Sequence, residues 1–473
     1  MNQQQRIALF VLVLAGFVTI FDLFVVNVAI VSIERGLQAN FTELTLIIAG
    51  YELAFGLLLI TGGRLGDIYG RRRLYQAGMV FFTLASLLCA AAPTALLLVI
   101  ARFIQGLAAA LLFPQVYAGI RLNFDEKQAG KAFGWLGMTL GLAAIAGQAL
   151  GGWLITLNLF DMSWRLIFLV NLPVGLLALV LSRHLQEGCA ADGLTTDWPG
   201  VLLSASGITA FLLPLLMLPV WGLTLFSTGL LLTGIVLLLC FVRYEQYLSR
   251  TGQTPLFDIA VLNNQQFVTG TGVVLCVYAT SSAFPLILSL LLQNGMGATP
   301  LEAGLIFVPS SIGFVIASFI TPRLSIRRGE PVIYYGALGY TVSYLALIAG
   351  LNFLLQSTAN TILSLFLFFV GFTQGMIMTP MLNIVLSRVT PAQAGMASGL
   401  TATLQQIGAA TGVTAVSVIL QFSLRHSGDT VLLSAPAALY SVSLGFNVLM
   451  ALCAACLIYR LTHARQPETP SCL

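Results

Sequence analysis

Three ionisable residues stand inside long apolar runs: Asp22, Glu52 and Arg102. A charge in hydrocarbon costs several kcal/mol, so such groups face a partner, a cavity or water. Two carboxyls and one guanidinium at a similar depth can hold and release a proton. Desolvation favours the neutral acid, and a neighbouring Arg favours the carboxylate. Opening a cavity or admitting a substrate alternates those two effects, as proton coupling requires. The plainer reading is a buried Asp22–Arg102 ion pair that only holds helices together, and Glu52 can likewise be structural.

The elements that must position them follow from composition. Of 473 residues, 58% are apolar or aromatic and 8% are charged, against about 25% charged in ordinary globular domains. A soluble enzyme, a disordered chain and a nucleic-acid binder are excluded on that ground. At roughly 20 apolar residues per crossing, polar and Gly/Pro punctuation divides the chain into fourteen spans, from 7–33 to 437–459. The expected fold class is an all-α polytopic membrane protein. At ~1.5 Å rise per residue, Asp22 lies roughly 16 Å from the outer end of its span, Glu52 roughly 12 Å and Arg102 roughly 10 Å.

Basic residues set the orientation. Nineteen of the 21 are Arg, and a cytoplasmic N-terminus puts seventeen basic residues inside and three outside. Both termini are therefore expected in the cytoplasm. The longest polar interruptions, 183–197 and 243–264, bracket spans seven and eight. They divide the chain into an N-terminal six-helix bundle (1–185), two extra linker helices (186–262) and a C-terminal six-helix bundle (263–473). A repeat supports this partition. The pattern QAGxAxG opens the fifth helix of each six, at Gln128–Gly134 and again at Gln393–Gly399, 265 residues on.

Other chemistry is poorly supplied. His184, His426 and His463 lie in loops or at the C-terminus without ligand spacing. Cys453 and Cys456 sit in lipid-like surroundings and read as packing residues. No phosphate-binding GxxxxGK[ST] occurs. A membrane enzyme, an ATP-driven pump and a channel are disfavoured, and no metal or cofactor is expected.

The loop after span two reads GRLGDIYGRRR, Gly63 to Arg73. Its acid can accept charge-assisted hydrogen bonds, and Gly70 permits a sharp turn. This loop resembles the signature loop of the major facilitator superfamily. FDLFVVNVAI (Phe21–Ile30), RFIQG (Arg102–Gly106), WRLIFLVNLPVG (Trp164–Gly175) and PLEAG (Pro300–Gly304) are similar to its fourteen-helix drug:proton antiporter branch. One departure stands in span five. AAIAGQALGG (Ala143–Gly152) carries Gln148 where the branch's motif has proline, so less kink is expected there, and the inference of export is weakened.

The resemblance implies two pseudo-symmetric six-helix bundles around a central cavity, with 14 helices arranged 6 + 2 + 6. It implies a proton-coupled exporter of amphipathic small molecules, and with only one or two acids lining the expected cavity, neutral or singly cationic ones are expected over dications. Such a protein works as a monomer in the inner membrane by alternating access, powered by the proton gradient. A dedicated exporter of one endogenous metabolite and a proton symporter remain alternatives. Asp22, Glu52 and Arg102 become the coupling site, and Gly63, Asp67, Gly70, Arg71 and Arg72 a conformational lock. Asn27, Gln105, Gln148 and Gln374 are candidates for the cavity wall, although plain helix–helix glue is the commoner role for a residue such as Gln148.

Overall fold

A computed structural model describes residues 3–187, 197–222, 224–251, 264–329, 331–354, 359–387, 394–426 and 437–463. Arg388, Arg465, Gln393 and the side chains of 394–399, used above for orientation and the repeat, lie outside what it describes. Fourteen helices among the described residues are long and apolar enough to cross a membrane. The first bundle contains α1 (Gln3–Leu37), α2 (Phe41–Tyr69), α3 (Arg71–Ala91), α4 (Ala95–Asn123), α5 (Glu126–Leu157) and α6 (Asn171–Leu181). Then come α7 (Trp198–Leu216) and α8 (Leu225–Arg250). The second bundle contains α9 (Gln265–Leu290), α10 (Pro300–Arg328), α11 (Pro331–Leu354), α12 (Ala359–Ser387), α13 (Ala394–His426) and α14 (Ala437–His463).

Local chemistry sets the ends of these helices. Asn40 and Glu43 form a reciprocal capping box at the start of α2, and Thr299 and Glu302 form another at α10. Asp125 caps α5, accepting from the Gln128 amide at 3.1 Å. Each cap satisfies amides that the first turn leaves without helical partners. Gly70 breaks α2 from α3 with φ +95°, a conformation that costs a side chain dearly and glycine little.

The helix pairs of the first bundle recur in the second. Helix α2 packs on α4 as α10 does on α12, α1 on α5 as α9 on α13, and α3 on α6 as α11 on α14. The cross pairs interchange as well, α2 against α13 and α5 against α10. A two-fold relation between the bundles follows, and Gln128–Gly134 and the described part of the second repeat, 394–399, lie in the first turns of the equivalent helices α5 and α13. Helices α7 and α8 form their own hairpin, and α7 rests on both α2 and α13.

The hydrogen bonds between bundles cluster in the half remote from the Arg-rich loops. Thr45 Oγ1 donates to Ser417 Oγ at 2.8 Å, and Gln293 Nε2 to the Val28 carbonyl at 2.8 Å. Asn294 donates to Glu34 Oε2 at 3.3 Å, and Ser311 to Gln148 Oε1 at 3.0 Å. Glycine lets the backbones meet at the α5–α10 seam. A Cβ on Gly152 would strike the Pro300 carbonyl, and one on Gly304 the Gln148 carbonyl.

Candidate functional site

Asp22 and Arg102 meet. The Arg102 guanidinium, 1% exposed, forms an ion pair with the fully buried Asp22. Gln105 Nε2 and Asn171 Nδ2 each donate to Asp22 Oδ1 at 2.9 Å. Both amides also donate to Ser86 Oγ, at 2.8 and 3.2 Å. Arg102 donates in addition to Gln105 Oε1 at 2.8 Å and to the Ile47 carbonyl at 3.2 Å. Its guanidinium carbon lies 4.2 Å from the Tyr51 ring centroid.

This cluster draws on α1, α2, α3, α4 and α6, all in the first bundle. Burying an ion pair costs several kcal/mol per ion, recovered only when the remaining lone pairs and protons are satisfied. The two amides and Arg102 supply that satisfaction. Asp22 is thus sealed within one bundle rather than standing on the cavity wall. Gln105 commits both ends of its amide to the same cluster, since a buried amide left without partners is costly.

Glu52 occupies a different place. Buried on α2 at 1% exposure, it accepts a hydrogen bond from Ser282 on α9, across the bundle interface. Its other oxygen has no hydrogen-bond partner among the described residues. Arg102 lies within electrostatic reach of Glu52 as well as in contact with Asp22. One guanidinium is therefore paired with an acid sealed in a bundle and within electrostatic reach of a second acid on the seam.

The loop residues assemble locally. Asp67 pairs with Arg71 across the Gly70 break. Arg72 reaches Glu187, beyond α6, through its Nε at 3.4 Å, while its backbone N–H donates to the same carboxylate at 3.1 Å. A Cβ on Gly63 would lie 3.8 Å from the Pro114 side chain of α4. Every contact of this loop named here stays within the first bundle. Gln148 bonds Ser311 of the opposite bundle, as a helix-joining residue would. Asn27 turns back on its own helix, donating to the Leu23 carbonyl at 3.2 Å. Gln374 sits half-buried on α12.

Sequence reasoning missed Ser86, Asn171, Ser282 and Glu187. Asn171 stands inside the quoted WRLIFLVNLPVG segment, where a lone amide in an apolar run was a usable signal. Nothing marked the serines out.

Two helical bundles with a buried ionic cluster beside their seam make this a membrane carrier rather than an enzyme. The chain belongs to the major facilitator superfamily, whose family pattern matches residues 12–191 and 198–413. It is a transporter of small molecules and an integral membrane protein. It is 34% identical over 420 residues to a puromycin resistance protein of Streptomyces alboniger, covering 87% of this chain and 81% of that one. It is 31% identical over 430 residues to a multidrug resistance protein B homolog of Mycobacterium tuberculosis, covering 88% and 76%. Among solved structures, an inward-facing bacterial homolog of the human lysosomal transporter Spinster superposes with a TM-score of 0.70 at 14% identity, covering 98% of each chain. A D-xylose–proton symporter gives 0.62 at 15% identity, covering 94% of this chain and 95% of that one. At that identity the likeness is one of fold.

Proposed function

We propose that this transporter expels amphipathic small molecules, neutral or singly cationic, from the cytoplasm in exchange for protons by alternating access. Excess Arg on one face supports a cytoplasmic location for that face and for both termini. The names of the relatives, puromycin resistance and multidrug resistance, support export of such compounds from a bacterial inner membrane. The protein acts as a monomer, with the proton gradient as its energy source and no cofactor.

The observation that carries the coupling is the Glu52–Ser282 bond. A carboxylate held charged in a buried seam with one hydroxyl partner is unfavourable by several kcal/mol. Loading or unloading a proton there changes the energy of the contact that joins α2 to α9. Arg102, paired with Asp22 and within electrostatic reach of Glu52, offers both acids one counter-charge. Its bond to the Ile47 carbonyl passes any movement to α2. Asp67, Arg71 and Arg72 hold the cytoplasmic side when the bundles close there.

Gln148, in place of the branch's proline, favours a second reading in which substrate and proton travel together. Direction of transport separates the two. Inside-out vesicles with an acidified lumen accumulate substrate if the chain is an antiporting exporter. Accumulation only in right-side-out vesicles acidified from outside would establish symport and overturn export.

A further inference from the structure

Helices α7 and α8 meet the first bundle unevenly. Helix α7 packs against α2 and α13, but where the hairpin passes α4 the helices frame a cleft of about 440 Å³. Leu58 of α2 with Phe103 and Leu107 of α4 form one wall, and Ala205, Ser206 and Thr209 of α7 form the other. Larger side chains at those three positions of α7 would fill it. The cleft has the size of a ligand site, for which roughly 300–1,000 Å³ is usual.

Its depth and lining say what kind of ligand fits. At ~1.5 Å rise per residue, Phe103 and Leu107 lie roughly 12 and 18 Å from the Ala95 end of α4. Those levels fall inside a hydrocarbon layer about 30 Å thick. Ile100 and Ile104, beside them on α4, are exposed, and Leu230 of the outlying helix α8 completes the rim. The cleft therefore opens sideways to the membrane. Among the described residues no charged side chain lines it. Ser206 already gives its hydroxyl to the Leu202 and Leu203 carbonyls of its own helix. Nothing there favours a polar or ionic guest.

Helices in lipid gain nothing by hiding apolar surface from lipid tails, so their association rests on close van der Waals packing, hydrogen bonds and lipid entropy. A wall that no atom touches forfeits its dispersion contacts. At this depth the surrounding material that can restore them is hydrocarbon chain. We propose that the cleft is a binding site for a phospholipid acyl chain, which wedges the α7–α8 hairpin against α2 and α4 and exchanges slowly with the bulk membrane. Leu58 lies six residues beyond Glu52 on α2, and Phe103 follows Arg102 directly on α4. The chain thus braces the two helices that carry those charged side chains.

The test places the full-length protein in vesicles of phosphatidylethanolamine and phosphatidylglycerol with a trace of phospholipid bearing a mid-chain diazirine. Excess unlabelled vesicles and a lipid-transfer protein chase the probe before irradiation, and peptide mass spectrometry locates the adducts. After the chase, labelling of Phe103, Leu107 and Thr209 stays at least five-fold above that of Leu232, Val236 and Leu239, which α8 exposes. Ser206→Phe combined with Thr209→Phe cuts labelling of Phe103 and Leu107 at least five-fold and leaves the α8 face unchanged. Equal loss of label from the cleft and the α8 face, or parent-like labelling of the cleft in the double variant, overturns the site. Displacement of the retained probe by ethidium would assign the cleft to a transported compound and overturns the resident chain as well. The chase is read on the parent chain and does not depend on the folding of the variant.

Discussion

Ser282 on α9 donates its hydroxyl proton to Glu52 on α2, so a carboxyl of the first bundle is held by the second. A hydrogen bond to a charged or easily charged group contributes about 1.5–3 kcal/mol, enough to shift a balanced two-state equilibrium by ten-fold or more. Ser282→Ala is expected to loosen the joined face. Thr42 and Gln421 touch at that face, at 3.4 Å. Disulfide formation between cysteines placed at these two positions should slow several-fold in the Ser282→Ala background. An unchanged rate would show that the bond does not hold the bundles.

The Asp22–Arg102 pair makes a prediction about stability as well as transport. Asp22→Asn keeps the shape of the side chain but leaves the Arg102 charge buried without its counter-ion. Breaking one side of a buried pair costs about 3–5 kcal/mol. The variant is expected to fold, to melt at a lower temperature in detergent and to lose gradient-driven efflux. Adding Arg102→Gln should restore part of the melting temperature, because the stranded charge is gone, without restoring efflux. Undiminished efflux in Asp22→Asn would remove Asp22 from coupling and leave the pair purely structural.

The loop between α2 and α3 should act on rate rather than affinity. The Asp67–Arg71 and Arg72–Glu187 pairs are partly exposed, with Asp67 at 42%. Exposed pairs contribute roughly 0–1 kcal/mol. Asp67→Asn is therefore expected to slow counterflow several-fold and to leave equilibrium substrate affinity within two-fold. Gly70→Ala should be harsher. Its φ of +95° is poorly suited to a side chain, and the new Cβ would meet the Glu187 carboxylate. A large loss of affinity in Asp67→Asn would contradict the lock.

The fold was legible because its signals are redundant. Long apolar runs fix the spans, loop arginines fix the orientation expected of them, and QAGxAxG marks the repeat. Asp22, Arg102 and Glu52 stood out because a charge in an apolar run is rare. Their surroundings did not. Ser86, Ser282 and Asn171 are small polar residues that membrane helices carry for many reasons. Spacing along one helix cannot show which residue another helix brings to it. Gln105 shows the limit in reverse. Its motif suggested the cavity wall, but i, i+3 spacing from Arg102 turns it into the buried cluster.

Proton coupling at the bundle seam is tested most directly by ethidium accumulation in inside-out vesicles with an acidified lumen, compared between the parent chain, Glu52→Gln and Glu52→Asp at equal protein content. Ethidium carries a fixed charge, so the pH gradient drives it only through the carrier. Accumulation is expected in the parent, reduced at least ten-fold in Glu52→Gln and partly retained in Glu52→Asp, with downhill ethidium movement persisting in Glu52→Gln. Parent-level accumulation in Glu52→Gln would contradict the account.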